Sequence, residues 1–89
     1  MTQKRWNIFS KSQQLLMIGS EIMRAKTWQT ENDKLFKEAL ERGIELLDFA
    51  LEDPKWNEQR YSLLVLRQEF GKFYIDARTD NIETLYQIL

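Results

Sequence analysis

Apolar residues in this chain recur three and four positions apart and nowhere alternate for long, so its ordered segments are expected to be helices. Leu15, Ile18, Ile22 and Ala25 make one stripe, widened by Leu16, Gly19 and Met23, which predicts a helix over about residues 9–28 capped by Ser10 or Ser12. Phe36, Ala39, Leu40, Gly43, Leu47 and Ala50 mark the core face of a second helix. It is expected to start at TEND, with Thr30 as cap and Glu31 and Asp33 at the positive end of the dipole. Asp53 is a plausible cap for a third helix, and Pro54 suits its first turn, where a missing N–H goes unneeded. Leu63, Leu66, Phe70, Phe73 and Ala77 carry that helix to about Arg78. TDNIE then restarts the chain, with Asp80 and Glu83 spaced as a cap and its N3 partner, and Ile82, Leu85, Tyr86 and Leu89 form the apolar side of a short last helix.

These segments imply an all-α fold, an antiparallel helical bundle of three long helices plus a short C-terminal helix, in one domain over residues 1–89. At about 1.5 Å per residue the long helices reach roughly 27 to 36 Å and the last only about 13 Å. A stub of that length covers one end of the groove between the others. A second copy of the chain is the simplest filler for the remainder, so a homodimer is expected. Trp6, Trp28 and Trp56 fall at helix junctions. Antiparallel packing puts Trp6 and Trp56 at one end and Trp28 at the other.

Several chemistries are excluded by composition. The chain has neither histidine nor cysteine, which removes the commonest general base, the thiol nucleophile and the softer metal ligands. No glycine-rich phosphate loop is present, and Ser10, Ser12, Ser20 and Ser62 have no recognisable base partner. An enzyme is therefore not expected, and neither is a cofactor or a metal. Without a cysteine framework, an apolar run of membrane-spanning length or a signal-peptide core, the chain reads as cytoplasmic.

Charge is uneven along the sequence. Residues 1–29 hold five basic and one acidic side chain, residues 30–53 three basic and eight acidic, and the rest balance. Glu38, Glu41, Glu45, Asp48 and Glu52 recur as an acidic ridge expected to face water. An overall charge of −1 argues against general nucleic-acid affinity, although Lys4, Arg5, Lys11, Arg24 and Lys26 would serve such a module or a peripheral membrane helix. The Leu15, Ile18 and Ile22 stripe is more simply core than membrane anchor.

The third helix carries the candidate site. Arg60, Arg67, Tyr74 and Arg78 fall inside its apolar arc, between the Leu63 stripe and a second edge set by Leu64 and Ile75, and Gly71 lies close to the same line. A guanidinium there must snorkel, pair with a carboxylate, or meet a ligand or another subunit. Together with Leu85, Tyr86 and Leu89 of the stub, this line is the expected self-association surface, with an unidentified protein partner or a small anionic ligand as alternatives.

Overall fold

A computed structural model describes all residues 1–89. It is all-helical, as the spacing implies, and contains no strand. Helix α1 (Gln3–Ile8) precedes three long helices, α2 (Lys11–Trp28), α3 (Asp33–Leu51) and α4 (Arg60–Tyr74). A 3-10 turn, Pro54–Gln59, joins α3 to α4, and a second 3-10 segment, Ile82–Gln87, follows α4.

Helix α3 is central. Both α2 and α4 pack along it, while α2 and α4 scarcely touch each other. The directions are antiparallel: Asp53 and Arg42, descending along the chain, meet Gln14 and Glu21, and Lys37, Asp48 and Leu51 meet Asp76, Arg67 and Arg60. The C-terminal segment enters the cleft opposite α3 and buries Ile82 and Leu85 against α2 and α4. Ile18, Ile22, Phe36, Leu40, Leu47, Leu63, Leu66, Phe70 and Phe73 complete one core, which the three- and four-residue spacing had marked.

Local chemistry moves several boundaries. Ser10 and Gln13 form a reciprocal capping box at the start of α2. The chain before it is itself a helical turn, capped by Thr2 and too short for an apolar period to reveal. Asn32, not Thr30, caps α3 by accepting from the Leu35 N–H at 3.0 Å. Asp53 caps the linking turn as expected.

Helix α4 stops at Tyr74 instead of running to Arg78. Asp76 adopts φ 61°, the Ala77 N–H returns to the Lys72 carbonyl at 2.9 Å, and the Asp76 N–H to that of Phe73 at 3.3 Å. This is the reversal that a glycine usually makes at a helix end, here made by an aspartate that Lys37 holds at 2.9 Å. Ala77 is consequently exposed and no part of the core. Asn81, not Asp80, caps the last segment, because Arg78 occupies both Asp80 oxygens at 2.6 and 2.9 Å.

Three polar side chains lie inside: Gln14, Asp53 and Glu21, the first two joined in one network. Gln14, fully buried, donates to the carbonyls of Trp6 and Phe9 and to Asp53 Oδ2 at 2.9, 3.1 and 2.9 Å, and accepts from the indole N–H of Trp56. Asp53 also accepts from the Lys55 backbone and ammonium, and Lys55 reaches on to the Asn7 carbonyl. Burial pushes the Asp53 carboxyl up, but the bonds from Gln14 and Lys55 outweigh it and hold the group below its ordinary value. Trp6 and Trp56 thus share one end of the bundle, and Trp28 sits half-buried at the other.

Candidate functional site

The arginine line of α4 faces α3 and is satisfied within the chain. Arg67 makes a forked bond to Asp48, at 2.6 and 3.3 Å. Arg60 donates to the Leu51 carbonyl at 2.6 Å, and Tyr74 donates its hydroxyl to Glu41 at 2.6 Å. Beyond the end of α4, Arg78 bridges Asp80, Glu69 and Thr84 with its guanidinium over the Phe73 ring. The Asp80 bond raises the Arg78 pKa and lowers that of Asp80; the Glu41 bond raises that of Tyr74. The acidic ridge therefore does not wholly face water: Glu41 and Asp48 supply the carboxylates that these side chains need. Exposed pairs of this kind, screened by water, add little to stability.

The remaining expected site residues separate. Gly71 opens outward, since a Cβ added there meets nothing within 4 Å. Leu85 is buried and contributes to the core, not to a surface. Tyr86 lies across α2 and donates to the Gly19 carbonyl at 2.9 Å, and Leu89 stays on the surface beside it. Burial raises the Tyr86 phenol above its ordinary pKa, with the nearby Glu83 acting in the same direction and Lys26 opposing.

Tyr86 and Leu89 form one wall of a groove of about 600 Å³ whose floor is the outer face of α2, namely Ser12, Leu15, Leu16, Gly19, Ser20 and Met23. Leu16 is 73% exposed and Met23 46%. In the sequence both widen the core stripe. Ile18, Ile22 and Ala25 are the fully buried apolar side chains of α2, Leu15 and Met17 pack partly against the same core, and Leu16 and Met23, at the surplus width of the arc, point outward. That surplus was readable in the sequence, since the stripe is broader than one packing surface needs.

No charged side chain lies on the groove. The basic residues of α2 are all engaged in the chain: Lys11 with Gln59 at 2.6 Å and over the Trp56 ring, Arg24 with the buried Glu21, and Lys26 with Glu83 at 2.8 Å. Glu21 has a second partner in Arg42 at 3.0 Å. No three carboxylates gather closely enough to hold a metal ion, and no helix is long and apolar enough to cross a membrane. The chain matches no protein-family model, and no curated protein or solved structure matches it significantly.

Proposed function

We propose that the chain is a non-catalytic cytoplasmic interaction protein that associates first with itself, as a homodimer, through the outer face of α2 and the neighbouring Tyr86 and Leu89. The observation that supports this reading is the exposed, uncharged groove around Leu16 and Met23. Large apolar side chains grouped on a surface are the usual mark of a protein contact. The arginines of α4 and three of the five basic residues in the first third already have partners in the chain, which weakens the anionic-ligand and nucleic-acid alternatives.

Sedimentation velocity tests it. At about 50 μM, where a micromolar pair is mostly associated, the purified chain is expected to sediment as a dimer. A monomer over the whole range up to that concentration defeats the proposal.

A further inference from the structure

We infer that two copies of this chain exchange their C-terminal segments, residues 78–89, so that Ile82, Leu85 and Tyr86 of one copy fill the cleft between α2 and α4 of the other. The exchange is separate from the contact proposed above and does not rest on it. Its occupant is known from the fold, because α2 and α4 scarcely touch each other and the segment between them buries Ile82 and Leu85. The cleft is built for this segment. Gln29 grips its backbone at two points, donating to the Asp80 carbonyl at 2.6 Å and accepting from the Ile82 N–H at 2.9 Å. Lys26 pairs with Glu83 at 2.8 Å, and Tyr86 donates to the Gly19 carbonyl at 2.9 Å. From the α4 side Glu69 accepts from Arg78 at 3.1 Å, and the Phe73 ring lies under its guanidinium. Another apolar peptide would lack these pairings, whereas a second copy of the chain presents all of them.

The closed and exchanged forms therefore differ only at the hinge, residues 75–77. In the closed form Asp76 takes φ 61°, a left-handed conformation that strains any residue with a side chain, alanine more than aspartate. The sequence offers an alternative. The apolar spacing that builds α4 runs on through Ala77, and no glycine or proline lies between Gly71 and Leu89 to stop a helix. Continued by one turn, α4 loses the reversal and carries the segment away from its own cleft toward a neighbour. Two bonds from Lys37, to the Tyr74 carbonyl and to the Asp76 carboxylate, oppose that opening. They hold the isolated chain closed, and mass action favours exchange as the chain is concentrated.

Two substitutions at the exposed hinge bias it in opposite directions without touching the cleft. Asp76→Ala favours the continued helix, because alanine is the better helix former, suits the left-handed position less and cannot bond Lys37; Asp76→Gly favours the reversal. Each exchanged dimer opens two hinges, so each change counts twice. The readout is the contact between the Tyr86 ring and Gly19, measured by isotope-filtered NMR on equal parts of labelled and unlabelled chain, equilibrated at about 500 μM near the unfolding midpoint and cooled. Relative to wild type, Asp76→Ala is expected to raise the equilibrium constant for contact between copies at least about 10-fold, and Asp76→Gly to lower it by a similar factor. A contact that stays within one copy in Asp76→Ala, or equal effects of the two substitutions, overturns exchange whatever the sedimentation of the wild type shows. Wild-type chain that sediments as a monomer at about 50 μM defeats the α2 contact instead and leaves exchange standing.

Discussion

Replacing Gln14 with leucine is expected to lower stability by about 3 to 5 kcal/mol, a large part of what a domain of this size has. The side chain is fully buried and contacts three separate pieces of chain: the end of α1, Asp53 before the linking turn, and the Trp56 indole. Leucine fills much of the same volume but can neither donate nor accept. It leaves the Trp6 and Phe9 carbonyls, one carboxylate oxygen and an indole N–H with fewer or no partners away from water. Each such group costs about 1 to 3 kcal/mol, and the sum falls short of full additivity because the groups share one site. Thermal unfolding should shift down by roughly 15 to 30 °C.

The same variant has a pH signature. The Asp53 pKa is held below its ordinary value in the folded chain, so its contribution to stability is present above about pH 4 and is lost as pH falls through the folded value. Without Gln14 the raising effect of burial is less opposed. The gap between wild type and Gln14→Leu should therefore narrow as pH falls from about 4 and close only below the lowered folded value of the wild type, where Asp53 is protonated in both. A gap of constant size from pH 7 to pH 3, or a loss under about 1 kcal/mol, would remove Asp53 and Gln14 from this role.

Two glycines should respond to alanine in opposite directions. At Gly43, in the middle of α3, an added Cβ overlaps the Phe70 ring, which is buried on α4 and cannot swing into water. Gly43→Ala must push α3 and α4 apart or force Phe70 off its rotamer, at a net cost of about 1 to 3 kcal/mol even though alanine is the better helix former. Gly71 has open space where the methyl group would go, so Gly71→Ala is expected to gain about 0.5 to 1 kcal/mol. Urea unfolding of the two variants reads both signs. Phe70→Leu in the Gly43→Ala background should recover part of the loss. Equal effects at the two glycines would mean that α3 and α4 do not meet at Gly43.

Much of the fold was legible because burial of an apolar face is a periodic signal. Ile18 and Ile22, Phe36 and Leu40, and Leu66 and Phe70 each fall where a 3.6-residue turn returns them to the same side. Gln14 and Asp53 gave no such signal. Whether a polar side chain is buried depends on a partner, and here the partners stand 39 positions apart. The end of α4 carries no such signal for a local reason: an aspartate takes the left-handed position that a glycine would advertise.

The candidate site divides in the same way. Arg60 and Arg67 of α4 do lie within its apolar arc, but their acceptors are the Leu51 carbonyl and the Asp48 carboxylate of α3, and Arg78, beyond the helix end, turns to Asp80, Glu69 and Thr84, which a wheel drawn for one helix cannot display. On α2 the wheel did contain the answer. Leu16 and Met23 lie at the far edge of a stripe whose other edge already fills the core.

The central position of α3 also bears on how the chain comes together. Each long helix packs on its neighbour in sequence, so α2, α3 and α4 can dock through short loops whose closure entropy is small. The C-terminal segment differs, because its Tyr86 must return to Gly19, 67 positions earlier. Contacts of such separation form late when nearer ones are available. The wall carrying Tyr86 and Leu89 is therefore expected to be completed after the floor beneath it, an order that pulse-labelled hydrogen exchange would read directly. During that interval the apolar side of α2 is wider than in the finished molecule, and newly made chains at high local concentration meet one another with it uncovered.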